Sequence, residues 1–150
     1  MGGFLFTDDL VIMKSEDLLR IYDRHPLIKQ LAEQLEAESF ETLHCPGLHA
    51  SSASLVFASL VKSCKQKQPF LFVLNDEEDA GYFYHDLVQM LGEETVLFYP
   101  SSYRRAVKYA QRDAANEILR TSVLNRLSNV SDFESETLML VTYPAALSEK

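Results

Sequence analysis

Short apolar runs separated by longer stretches of helical periodicity constrain this chain more than any other feature. Phe70–Leu74 is apolar at every position, the pattern of a strand buried on both faces of a parallel sheet. Thr95–Tyr99 and Thr137–Thr142 are similar runs rich in β-branched and apolar residues, the first stopped by Pro100. Phe40–Cys45, partly β-branched or aromatic and closed by Pro46-Gly47, reads as a further strand running into a turn. Strands that alternate with helical patterns imply βαβ units. The expected fold class is therefore α/β: a parallel sheet of these four strands with helices on both faces.

The helical stretches carry their own punctuation. Ser15 is the expected N-cap of a first helix, with Glu16 and Asp17 in the turn that the helix dipole favours, then Leu18, Leu19, Ile21 and Tyr22. Pro26 suits the first position of the next, where Leu27, Ile28, Leu31, Ala32 and Leu35 share a face. Residues 51–64 are apolar almost all round, which predicts burial on most faces. Asn75 is the expected cap of a helix with Glu78 at the capping-box position, ended by Gly92. Asp113 caps another, with Ile118, Leu119, Val123 and Leu127 expected inward, and Pro144 opens the last. Residues 1–25 read as an N-terminal extension with a short helix, and 26–150 as one α/β module. The module stops just inside its last helix, as a fragment of a longer protein would.

Composition narrows the function classes. The chain has 150 residues, 14 basic against 22 acidic, for a net charge of −8. That balance argues against a free-standing, non-specific nucleic-acid binder. No apolar run reaches the ~20 residues that cross a bilayer. The N-terminus lacks the basic and long apolar regions of a secretory leader, and two cysteines far apart, Cys45 and Cys64, read as free, buried thiols. The expected compartment is the cytoplasm.

Three stretches resemble chemistry. Between the Phe40–Cys45 run and the helix after it, Gly47–Ser54 has the frame of the phosphate loop G-x-x-x-x-G-K-[ST]. Gly47 is present; Ser52 stands for the second glycine, Ala53 for the lysine, and Ser54 for the hydroxyl that holds Mg²⁺. Without the lysine, no cation meets a terminal phosphate, and an ordinary strand-to-helix turn explains the spacing as well. Asp76–Asp79 could pass for a Walker B acid, but its place in a first helical turn suits capping. Tyr103–Arg112 is a basic, aromatic run holding Arg104, Arg105, Lys108 and Arg112 with no acid among them. It could touch DNA phosphates, stack bases through Tyr103 and Tyr109, or dock an acidic neighbour. The four histidines show no metal-ligand spacing, His44-Cys45 reads as core packing, and no nucleophile stands beside a base. Catalytic and metal-binding residues are therefore not expected.

From about His25 onward, the succession of these features resembles the N-terminal, UvrB-like region of bacterial transcription-repair coupling factors (Mfd). The residues that carry the resemblance are the degenerate loop Gly47–Ser54, Pro69–Asp76, Val96–Pro100, the helix from Asn116 to Leu127, and Leu140–Leu147. UvrB itself keeps an intact phosphate loop and inserts a long Tyr-rich hairpin after its third strand. Here the loop lacks its lysine, and only Ser101–Arg112 separates Pro100 from Asp113. Both departures favour the coupling factor.

The resemblance implies a RecA-like module without catalysis of its own. The whole protein of that family is an ATP-dependent DNA translocase that displaces stalled RNA polymerase and recruits UvrA. Its ATP and Mg²⁺ belong to a motor elsewhere in the chain, and no UvrA-contacting residue transfers onto these positions. Two alternatives remain at the level of sequence: a piece of an active superfamily 2 helicase or other P-loop ATPase with a divergent loop, and a ligand-binding α/β module unrelated to repair.

Overall fold

The computed structural model describes residues 14–37, 42–103, 112–129 and 137–149. It opens with two short helices, α1 (Ser15–Asp23) and α2 (Pro26–Glu36). Lys14, not Ser15, holds the N-cap position of α1, and its backbone N–H donates to the Asp17 carboxylate at 3.2 Å. Pro26 does open α2, where His25 Nδ1 accepts from Leu27 N–H at 3.3 Å. Helix α3 (Ser51–Ser63) leads to strand β1 (Pro69–Val73), helix α4 (Glu77–Leu91) and strand β2 (Val96–Phe98). Helix α5 (Ala114–Asn129), strand β3 (Leu138–Thr142) and the short α6 (Pro144–Leu147) follow.

The cap of α4 falls one residue later than the capping-box pattern suggests. Asp76 Oδ1 accepts from the N–H groups of Glu78 and Asp79, each at 3.0 Å, while the Asn75 amide reaches Asp79 instead. A carboxylate is the better acceptor at the positive end of the helix dipole, which explains the preference. Gly92, at φ 89°, takes the left-handed turn that ends this helix.

The three strands form one parallel sheet in the order β1-β3-β2, with Leu140 of β3 in register with Leu71 on one side and Leu97 on the other. Connection β1–α4–β2 steps over β3, and β2–α5–β3 steps back. Right-handed crossovers in opposite directions put α4 and α5 on opposite faces of the sheet.

The anticipated strand at 40–45 is not in this sheet. Residues 40 and 41 lie outside the described residues; Thr42–Cys45 is irregular and exposed at all four positions. With no side chain taken up by the core, nothing offsets the entropy of ordering it as a strand. His44 and Cys45 are therefore surface groups rather than core packing, and Cys45 is a free, exposed thiol.

The core lies between the sheet and the α1–α3–α4 layer. Phe57 of α3, Phe72 of β1 and Phe83 of α4 meet with ring centroids 5.0 to 6.3 Å apart, in edge or tilted geometry. Leu19 of α1 belongs to the same core, as do Leu87, Val96, Met139 and Val141. Among the described residues only one face of β1 is covered, contrary to the reading of Phe70–Leu74 as doubly buried: Leu71 and Val73 are 59% and 49% exposed. The doubly buried strand is β3, which the sheet order places in the middle. On α5, Val123 is buried and Leu127 half-buried, but Ile118 and Leu119 face outward. Its apolar residues are spread around the axis, so one sheet contact cannot take them all.

Candidate functional site

The degenerate loop folds back on itself. Gly47 has φ 86° and Ala50 has φ 48°, ψ −139°, a region that side chains with a Cβ rarely adopt. His49 and Ser52 close the turn reciprocally: His49 N–H donates to Ser52 Oγ at 2.8 Å, and Ser52 Oγ–H donates to the His49 carbonyl at 2.6 Å. Ser52 N–H also bonds His49 O, and Ala53 N–H bonds Ala50 O, at 3.1 and 3.4 Å. A phosphate cradle needs such amides turned outward; these face the loop's own carbonyls. Ser54, where the Mg²⁺-holding hydroxyl would stand, is buried and donates to Asp86 Oδ2 of α4 at 3.0 Å. Because Thr42–Cys45 is irregular, Gly47–Ser54 joins no described strand to α3.

An apolar groove of about 670 Å³ lies between α1, α2, α3 and the start of this loop, where Ile21, Leu27, Leu43 and Leu48 are among its walls. Among the described residues, no lysine, arginine, aspartate or glutamate lines it. The groove thus offers shape and apolar surface, and no charge that would recognise a phosphate.

A denser set of polar contacts sits at the carboxyl ends of β2 and β3, where parallel sheets commonly place ligands. The Glu149 carboxylate accepts from Ser101 Oγ through Oε1, and from Ser102 N–H and Oγ–H through Oε2 at 2.9 and 2.7 Å. Arg120 Nη1 stands 3.4 Å from the same Oε2, with both side chains largely buried. The Arg120 guanidinium also lies 4.1 Å above the centre of the Tyr99 ring and donates to the carbonyls of Pro100 and Ala146. Burial pushes the Glu149 carboxyl up, but the hydrogen bonds from Ser101 and Ser102 and the Arg120 charge outweigh it and hold the group below its ordinary value. Sequence patterns do not reveal this cluster. Its members are scattered from Tyr99 to Glu149 and share no spacing, so only the crossover of the chain brings them together.

Of the basic run, Arg104, Arg105 and Lys108 lie outside the described residues, while its two ends are in view. Tyr103 and Arg112 pair as an antiparallel bridge, and Asp113 N–H bonds the Ser102 carbonyl at 2.8 Å. Arg112 Nη1 reaches Glu117 Oε1 at 3.0 Å, and the bonds to Glu117 and Tyr103 push its guanidinium up from the usual value. The two described ends of the run thus lie beside the Glu149 cluster: Tyr103 follows Ser102, and Arg112 precedes Asp113, whose N–H is bonded to Ser102.

Of Asp76–Asp79, Asp76 is the cap described above, and Glu77, Glu78 and Asp79 form the acidic first turn of α4. Cys64 is half-buried, and desolvation followed by the nearby Glu36 charge raises its thiol, so it is a poor nucleophile. Among the described residues no three histidine, cysteine or acidic side chains converge as a metal site, and no helix is long and apolar enough to cross a membrane. No protein-family model, curated protein or solved structure matches the chain.

Proposed function

We propose that this chain is the non-catalytic, UvrB-like scaffold of a transcription-repair coupling factor, a DNA translocase that displaces stalled RNA polymerase and recruits UvrA in nucleotide excision repair. The observation that carries this reading is the state of the loop Gly47–Ser54. It keeps the length of a phosphate loop, but Ala53 replaces the cation, Ser52 closes the turn onto His49, and Ser54 is spent on Asp86. A loop so converted can position α3 against α4; it has little left with which to hold a nucleotide. In this reading the RecA-like architecture is retained as a frame, in the cytoplasm, while ATP and Mg²⁺ are used by a motor elsewhere in the parent protein. DNA, RNA polymerase and UvrA are then partners of that parent.

The rival is an active superfamily 2 helicase or P-loop ATPase with a divergent loop. Isothermal calorimetry of the chain with Mg-ATP separates the two. No saturable heat is expected; micromolar affinity, or hydrolysis above a buffer blank, supports the enzyme. The positive counterpart is an intact G-x-x-x-x-G-K-[ST] motif much further along the parent sequence.

A further inference from the structure

The cradle around the Glu149 carboxylate is built by residues that do not depend on it. Ser101 N–H donates to Tyr143 Oη, the Ser101 carbonyl accepts from Asn116 Nδ2, and the Ser102 carbonyl accepts from Asp113 N–H, each at 2.8 Å. Tyr143 is itself fully buried. Arg120 is fixed by two carbonyls, at 2.8 and 3.1 Å, and by the Tyr99 ring. The occupant is held differently. Glu149 follows α6, a helix of four residues, and reaches the cradle as a side chain from its end. The donors are pre-organised and the acceptor is tethered, which is the arrangement of a site with a resident plug.

The geometry points to this cradle as a binding site for a phosphodiester group of a nucleic acid strand, with Glu149 occupying it in the free protein. Charge and shape set the ligand class. The cradle offers one formal positive charge, Arg120, to one carboxylate with two oxygens, each met by separate donors. A phosphodiester presents the same pattern: two non-bridging oxygens and a single negative charge. A phosphomonoester brings a second charge that the cradle does not match. A strand carries such groups in series, and Tyr103, 38% exposed, and Arg112 stand at the next positions along the chain from Ser102 and Asp113. Backbone N–H, hydroxyl and Arg donors are the groups that position phosphates. This site is separate from Gly47–Ser54 and is independent of the coupling-factor reading.

The test is fluorescence anisotropy of a labelled oligothymidylate, unphosphorylated at its ends, with the 150-residue chain at low salt. Three proteins are compared: the native chain, Glu149→Ala and Glu94→Ala. Glu94, whose side chain is 95% exposed, loses the same charge away from the cradle. Glu149→Ala is expected to bind at least tenfold more tightly than the other two, and Ser102→Ala on that background to remove most of the gain. Dimethyl phosphate should shift the Ser102 amide resonance of Glu149→Ala saturably. Should Glu149→Ala lose its fold by near-UV circular dichroism, Glu149→Gln takes its place in every arm. Equal binding by the Glu149 and Glu94 variants, a gain that survives Ser102→Ala, or no saturable shift overturns the proposal. Acetate that saturates the site as well as dimethyl phosphate does overturns the ligand class, in favour of an acidic peptide.

Discussion

Ser54 Oγ donates to Asp86 Oδ2 at 3.0 Å and so fastens the first turn of α3 to the middle of α4. The hydroxyl is buried and the carboxylate half-buried, which makes the bond a structural tie in a place where phosphate loops keep a free hydroxyl.

Replacing Ser54 with alanine leaves the Asp86 carboxylate without that donor, at a cost of about 1–3 kcal/mol for a hydrogen bond to a charged group. Urea unfolding should show the loss, and it should be smaller in an Asp86→Asn background. A Ser54→Ala chain as stable as the native one would mean that the tie contributes nothing.

Ala50 should be improved by glycine. At φ 48°, ψ −139° it occupies a region that costs a residue with a Cβ on the order of 1–3 kcal/mol. Part of the relief is offset by the greater entropy of glycine in the unfolded chain. Ala50→Gly is expected to raise the urea midpoint by the equivalent of about 1 kcal/mol. A lowered midpoint would count against the strained turn.

Glu149 gives the fold an acid limb. Its folded-state carboxyl titrates below the unfolded value of about 4.3. Its stabilisation is therefore complete above that value and disappears as pH falls through the folded one. Native and Glu149→Gln chains should differ most at neutral pH and converge as the solution is acidified below about pH 4. Stability curves that run parallel from pH 7 to pH 3 would exclude the linkage.

Truncation should discriminate sharply between the two faces of β1. Phe72→Ala removes a ring that contacts both Phe57 and Phe83 and should cost about 3–5 kcal/mol. Its neighbour Leu71 is 59% exposed, and Leu71→Ala should stay within about 0.5 kcal/mol of the native chain. Comparable losses at both positions would show that the open face is covered in solution.

What the sequence reveals here is local chemistry, and what it hides is which elements become neighbours. The α/β alternation is readable because Phe70–Leu74 and the helix to Gly92 have different apolar periods, and three of four anticipated strands form. Burial of β1 is misread since an unbroken apolar run looks the same in a central strand and at an edge; only the order β1-β3-β2 tells them apart. The Thr42–Cys45 stretch has strand-like residues but no strand partner among the described residues. Gly47–Ser54 is legible as a damaged phosphate loop from its missing lysine, whereas the Ser54–Asp86 tie is not, since Asp86 lies in another helix. The Arg120–Glu149 cluster is invisible for the same reason: an Arg and a Glu so far apart acquire meaning only when the loop after β2 and the turn after α6 are folded together.

The sheet order also sets a schedule for synthesis. Among the described strands, β1 and β2 each pair with β3 alone. A ribosome therefore releases both outer strands well before either has a hydrogen-bonding neighbour, and the ladder closes in one event when Leu138–Thr142 emerges. Until then the nascent chain can gather only its helical layer, with the aromatic side of β1 resting on α3 and α4. Long-range parallel pairing of this kind is slow and leaves apolar strands uncovered. The nascent chain should therefore be a chaperone client for as long as β3 remains in the exit tunnel.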